Sequence, residues 1–556
     1  MSWAEQTFKE LTLEQKVGQL IITRGLYFID SMEEMLKEGL LGGIGAVVVR
    51  QVCKKDPVKL TEYLNKLYRI SKIPPFMYLD AETGICDMFY DVGTSFPTQM
   101  AIAATGDPEL SYDVAKAIAK EAKALGFDII SNPVLDINSN PNNPIIGTRS
   151  FGDNTDTVIR FGESYIDGMQ SQRIIPNGKH FPGHGDTAVD SHIAMPIVDR
   201  SREILDNMEL RPFRELIKKG MKGLMTAHIY FPALQEGEEP GTPATLSRKI
   251  MTGLLKEEWG FQGLSITDSL TMRAIKDRYG IEQAAVLAFK AGNDMILQDY
   301  NSDPMITFNA LLKAVKEGDI DMKQVDAAVM KILKYKEWAL VHERKEISYD
   351  TTEKLMSVKE HIELSKKIAD KSVTLLENRT LPLKATDGGR KTLVIATASD
   401  AGLTAAKDMA TLITQKFYHF YNSVKKYAEQ AELYLVNEDP TKEQLTYIDQ
   451  NCSRYDDIIF ITFVRILSYK EGSGTIPESQ VKLLNILKEK NRSVSAVIAG
   501  NPYVASKMPE TDNLLCTYSD NIYSLDTAAD ILYGIKNAQG KLPVTISDKY
   551  SYGYGL

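Results

Sequence analysis

The sequence predicts an α/β protein: a (β/α)8 barrel followed by a smaller α/β sandwich. Three observations carry that reading. Short apolar runs alternate with helical patterns through the first 340 residues, polar residues recur at the C-terminal ends of those runs, and a second, shorter alternation follows a charged connector. Strands alternating with helices imply parallel βαβ units.

In chain order, the predicted strands are GAVVV (45–49), FMYLD (76–80), DIISN (128–132), GKHF (178–181), GLMTAH (223–228), GLSITD (263–268) and DMILQ (294–298). Between them lie amphipathic helical patterns such as 108–126 and 202–220. About eight such units fit in this length, which is compatible with a barrel carrying insertions. A doubly wound open sheet is the competing architecture, although no G-x-G-x-x-G opens a helix after the first strand. Residues 341–372 are charged and helical in pattern and read as a connector between a barrel over 1–340 and a sandwich over 373–556. The second alternation supplies TLVIAT (392–397), LYLVN (433–437), IIFITFV (458–464), SVSAVIAG (493–500) and LLCTYS (514–519), a parallel sheet of about five strands.

Composition narrows the function. Apolar residues make up 43% of the 556 and charged residues 25%, with a net charge of −9 and no long basic run. That balance is ordinary for a globular protein, and without a basic run neither nucleic acid nor an anionic membrane is an expected partner. The polar start, MSWAEQTFKEL, lacks the apolar core of a signal peptide, and no window of 18 apolar residues marks a membrane span. Cys53, Cys86, Cys452 and Cys516 form no CxxC pair and fit a reduced, cytoplasmic protein better than a disulfide framework.

Chemistry concentrates at the strand ends, which in a barrel is the reactive face. Asp80, Lys179 with His180, His228 and Asp268 all lie there. Of seven histidines, His180, His184 and His192 fall in one Gly- and Pro-rich stretch, KHFPGHGDTAVDSH. Imidazoles titrate near neutrality and suit proton transfer. Asp190 lies two residues before His192, and in an extended segment such positions face the same side. The carboxylate could then hold the ring in one tautomer and stabilise its cation. A second reading makes His180, His184, His192, His228 and Asp186 ligands of a divalent ion in a metal-dependent hydrolase, although the spacing matches no metal signature. A third makes them structural. Asp268, delivered by an apolar strand, fits a nucleophile or a helix N-cap.

KHFPGHGDTAVDSH resembles the signature of the β-N-acetylglucosaminidase branch of glycoside hydrolase family 3, with KH, PGHG and DSH all in register. Further segments agree along nearly the whole chain: TLEQKVGQL (12–20), LDAETG (79–84), NPVLDI, GTRSFG (147–152), PATLS (243–247), TDSL (267–270), KSVTLLENRTLPL (371–383) and GKLPVTI (540–546). The resemblance implies a TIM-like barrel and a following α/β sandwich, with no metal or organic cofactor. It makes Asp268 the nucleophile and His192, paired with Asp190, the general acid/base. Asp80, Arg149, Lys179 and His180 would hold the hydroxyls of a terminal N-acetylglucosamine, with His228 near the same pocket. The expected substrate is a small glycoside, such as a cell-wall fragment.

Retaining glycosidases generally use two carboxylates. An imidazole in place of the second does not repel an incoming anion, so inorganic phosphate is an alternative acceptor to water and a phosphorylase is the runner-up. One departure bears on the substrate. Where relatives read DQEGGRVxR, this chain reads DAETGICDMFY, with Ile85 and Met88 at the arginine positions. Arg465, Lys470 and the loop 471–479 of the second domain are candidates to restore that charge. The oligomeric state is left open.

Overall fold

The computed structural model describes residues 1–556 except 25–26, 54–55, 90–91, 271, 299–300, 385–389, 399–406 and 491–492. The chain divides into two compact units. The first comprises 1–95, 111–140 and 158–362, and the second comprises 96–110, 141–157 and 363–556. Two segments from the first 160 residues therefore pack with the C-terminal third, residues 363–556.

The first unit is the barrel. Its strands are β1 (Ile21–Thr23), β2 (Gly43–Gly45), β3 (Phe76–Leu79), β4 (Ile129–Ile130), β5 (Ile175–Phe181), β6 (Gly223–Thr226), β7 (Leu264–Thr267) and β8 (Ile296–Leu297). They pair in parallel in the order β7-β6-β5-β4-β3-β2-β1-β8. A bridge between Ile266 and Met295 joins the two ends. Every strand residue is buried, as expected of parallel strands wrapped by helices.

The predicted strand at 45–49 is a correction. β2 ends at Gly45, and Ala46–Cys53 is a helix. The run AVVV has strand propensity, but a buried apolar run reads the same in a core helix, and packing decides. β1 was not among the predicted strands. Three residues directly after a helix leave no alternation to detect.

The second unit is built on a six-stranded sheet ordered β11-β10-β12-β13-β14-β9. Here β9 is Thr374–Asn378, β10 Thr392–Ala398, β11 Glu432–Asn437, β12 Asp457–Val464, β13 Val494–Gly500 and β14 Asn513–Cys516. β9 adds an antiparallel edge to the parallel strands expected. Alternation along β12 sends Ile458 and Phe460 to one core and Ile459 and Ile461 to the other, so the sheet is covered on both faces. Met100, Ala101 and Ala104, from the recruited segment 96–110, complete the first of these cores.

All four cysteines are free thiols. Among the described residues, no helix is long and apolar enough to cross a membrane.

Candidate active site

The barrel delivers the candidate residues at one end of its sheet. Asp80 follows β3 directly, Lys179 and His180 lie on β5, His228 is two residues beyond β6, and Asp268 follows β7. The pairing of β5 with β6 shifts register between Gly178 and Phe181.

Lys179 is 3% exposed. Its ammonium lies 2.7 Å from Glu82 Oε1 and 3.8 Å from Asp80 Oδ1, and it donates to Ser131 Oγ at 3.4 Å. One buried cation thus gathers two carboxylates. Glu82 was not singled out in the sequence, although it stands in the same DAETG segment as Asp80.

His180 is oriented by Asp136, whose Oδ2 lies 2.6 Å from the ring Nδ1. The same carboxylate accepts the backbone N–H of His180 at 3.1 Å and of His184 at 2.7 Å. Burial works against the Asp136 charge, but the charge and hydrogen bonding of His180, with His184, outweigh it and hold the pKa below the ordinary value. Asp136 stands in the NPVLDI segment, and nothing in its local spacing points to His180.

The glycines of the PGHG turn are steric necessities. A Cβ on Gly185 would lie 1.6 Å from the Ile137 carbonyl oxygen. Gly183, at φ 139°, faces Glu209, whose Cβ would be 2.7 Å from an added Cβ. Within this loop the Thr187 hydroxyl donates to the His184 carbonyl at 3.0 Å. His184 Nδ1–H therefore donates to Thr187 Oγ1 at 2.8 Å, and Nε2 accepts from Ser191 Oγ at 3.0 Å.

Asp190 and His192 meet as expected, with Asp190 Oδ1 2.7 Å from His192 Nδ1. The means differs from the extended segment predicted. The Asp190 carbonyl accepts from Ile193 and Ala194 at 2.9 and 3.1 Å, which closes a turn. Oδ1 also accepts the His192 backbone N–H at 2.9 Å. The Asp190 side chain is 2% exposed, whereas the His192 side chain is 23% exposed. With Nδ1–H donated to Asp190, Nε2 is the ring position through which protons can be exchanged.

The Asp268 carboxylate accepts the Ser269 backbone N–H at 2.6 Å. Burial penalises its charge, but the positive potential of His228, His180 and His192 overrides this and lowers its pKa to about 2. It is an anion at neutral pH. His228, 1% exposed, places Nε2 3.0 Å from the Ser269 carbonyl and Nδ1 2.9 Å from Thr245 Oγ1. Burial lowers its pKa against the pull of Asp268.

Each imidazole is thus committed to its own partner. Among the described residues, no group of three or more His, Cys, Asp or Glu side chains is arranged to hold a metal ion. Arg149 lies in the 141–157 segment of the second unit and donates to the Ile145 carbonyl at 2.7 Å. Arg465 pairs with Asp520 and Lys470 with Glu438, all within that unit. Ile85 and Met88 are buried apolar side chains, 0% and 8% exposed.

The model of the glycosyl hydrolase family 3 N-terminal domain matches residues 12–335, and that of its C-terminal domain matches 373–554. The chain belongs to glycosyl hydrolase family 3. Among its relatives, Beta-hexosaminidase A of Pseudoalteromonas piscicida is 36% identical over 300 residues, 50% of each chain. A Beta-N-acetylglucosaminidase/beta-glucosidase of Cellulomonas fimi is 28% identical over 385 residues, 68% of this chain and 66% of that one. This chain thus spans about half the length of the first relative and two thirds of the second. A solved family 3 β-N-acetylglucosaminidase from Paenibacillus sp. str. FPU-7 is 30% identical, with a TM-score of 0.83 over 97% of this chain and 99% of that one. The doubly wound alternative for the first unit is excluded by its closed sheet.

Proposed function

We propose that this family 3 member is a retaining, exo-acting β-N-acetylglucosaminidase acting on small glycosides. The observation that carries the reading is the Asp190–His192 pair, with Nδ1 occupied at 2.7 Å, in one barrel with the ionised Asp268. The names of the Pseudoalteromonas, Cellulomonas and Paenibacillus relatives support the sugar.

In this mechanism Asp268 attacks the anomeric carbon as His192 Nε2–H protonates the leaving oxygen, which gives a glycosyl ester. His192 then takes a proton from water, which attacks the same carbon and releases Asp268. The Asp190 carboxylate stabilises the imidazolium and fixes its tautomer. Lys179, held by Glu82 and Asp80, and His180, held by Asp136, bind sugar hydroxyls. Asp268→Asn should abolish turnover of an aryl β-N-acetylglucosaminide, and near-normal activity in that variant refutes the assignment.

A second reading rests on the same imidazole. A neutral His192 does not repel phosphate as a carboxylate would, so phosphate could resolve the ester and give a sugar 1-phosphate. Product analysis in phosphate buffer separates the two: free sugar alone means hydrolysis, and sugar 1-phosphate means phosphorolysis.

A further inference from the structure

With Ile85 and Met88 buried and apolar, the segment after Asp80 supplies no arginine to the sugar. We propose that Arg24, at the tip of β1, supplies this contact, reaching the mouth of the barrel through the gap left by Gly45 on β2 and binding hydroxyls of the non-reducing sugar. The inference rests on the glycosidase reading of the same site.

The placement follows from register. β1 pairs with β2 as Ile22↔Gly43 and Thr23↔Ile44, and β2 pairs with β3 as Gly43↔Phe76 and Gly45↔Tyr78. Residues two apart on a strand share a face. Ile22 and Arg24, Gly43 and Gly45, and Phe76, Tyr78 and Asp80 therefore form one face of three adjacent strands. The local contacts agree. A Cβ on Gly43 would lie 3.1 Å from Ile22 Cγ1, and one on Gly45 would lie 2.9 Å from Arg24 Cγ and 3.7 Å from its Cδ.

That face is the barrel interior. Tyr78 is 1% exposed, and burial drives its pKa far up; Asp80 and Asp268 push the same way and Arg24 opposes them. Asp268 ends β7, four strands from β3 in the closed sheet. Asp80 Oδ1 lies 3.8 Å from Lys179 Nζ on β5, two strands from β3, a contact that only side chains pointing inward can make. Arg24 is half-buried on this face, at the same end of the barrel as the nucleophile.

The residue type suits the role. A guanidinium presents a planar fork of donors that can span two neighbouring hydroxyls, which an ammonium holds less specifically. Lys179 enters the site from β5, beside Glu82 and Asp80, and Arg24 enters it from β1. Gly45 explains how the side chain fits, since any Cβ there would collide with its aliphatic stem.

The test is a double-mutant cycle on steady-state kinetics with a panel of aryl glycosides, alongside thermal unfolding. Arg24→Ala should lower kcat/KM about 10- to 100-fold, mostly through KM, the loss expected for one charged hydrogen-bonding group. Arg24→Lys should recover part of it. Gly45→Ala, which keeps the arginine but displaces it, should reproduce much of the loss and add little to Arg24→Ala. On mono-deoxy aryl glycosides, the Arg24→Ala penalty should vanish for the analogue that lacks the contacted hydroxyl. An unchanged kcat/KM in Arg24→Ala overturns the proposal, as does full additivity of the two losses. If the wild type prefers an aryl glucoside, the N-acetylglucosamine reading fails, and the same cycle run on the glucoside still decides Arg24. A wild type that cleaves no aryl glycoside overturns both.

Discussion

Replacing Asp190 with Asn or Ala separates the charge of the carboxylate from its hydrogen bonds. A single oxygen, Oδ1, accepts both His192 Nδ1–H at 2.7 Å and the His192 backbone N–H at 2.9 Å. An asparagine oxygen can accept the same two bonds, so Asp190→Asn keeps the turn and loses the ion pair that forms when His192 is protonated. A hydrogen bond to a charged group contributes about 1.5–3 kcal/mol against about 0.5–1.5 for a neutral one, so Asp190→Asn should cost ~1–2 kcal/mol of transition-state stabilisation, or roughly 5- to 30-fold in rate. Asp190→Ala removes both bonds and leaves Nδ1 without this partner, which should cost ~2–4 kcal/mol, or about 30- to 1,000-fold. The assay is kcat/KM on two β-N-acetylglucosaminides, one with a nitrophenyl and one with an alkyl leaving group. Protonation matters most for the poor leaving group, so the loss should fall mainly on the alkyl glycoside. Equal losses on both, or no loss in either variant, refute the role of the pair.

Other predictions test the supports of the site. Asp136→Ala leaves the His180 and His184 backbone N–H groups and His180 Nδ1 without their buried anion, and should cost about 3–5 kcal/mol in urea unfolding, with activity lost; a stable variant with normal activity contradicts its role. His228→Phe removes the donor to the Ser269 carbonyl beside Asp268, the proposed nucleophile, and should lower kcat about tenfold with KM little changed; a KM-only effect would make His228 a sugar contact instead. Lys336 is fully buried against Gln19 Oε1 at 2.6 Å, and burial lowers its pKa to about 7, with Asp128 opposing. The unfolded state, with a lysine pKa of about 10.4, binds the extra proton between these values, so stability from this group rises with pH above about 7 and is flat below it. Wild type should therefore gain about 2 kcal/mol on Lys336→Met between pH 7 and pH 9 in urea unfolding, and a pH-independent difference refutes the neutral lysine.

Much of this architecture was legible in the sequence, because barrel strands are apolar runs that end in polar residues at one face of the sheet. Asp80, Lys179, His180 and Asp268 were found by that rule alone. Asp190 and His192 were paired by spacing, but through a turn closed by the Asp190 carbonyl rather than an extended segment. Glu82 and Asp136 were missed because their partners, Lys179 and His180, are remote in sequence and meet them only once strands are ordered round the barrel. β1 was too short to show a period, and the apolar run at 46–49 carried no sign of its helix. The packing of 96–110 and 141–157 with the C-terminal unit leaves no local mark either, and it places Arg149 in a segment that spacing assigns to the barrel.

In the proposed mechanism Asp268 attacks the sugar while His192 handles the proton. Trapping tests it most directly: incubate the protein with a slow, fluorinated aryl glycoside, measure the intact mass, and map the labelled peptide. One glycosyl group per chain should be found, on the peptide containing Asp268 and absent in Asp268→Asn, with the β-configuration retained in the product of normal turnover. A product of inverted configuration, or a label on any other residue, would contradict this mechanism.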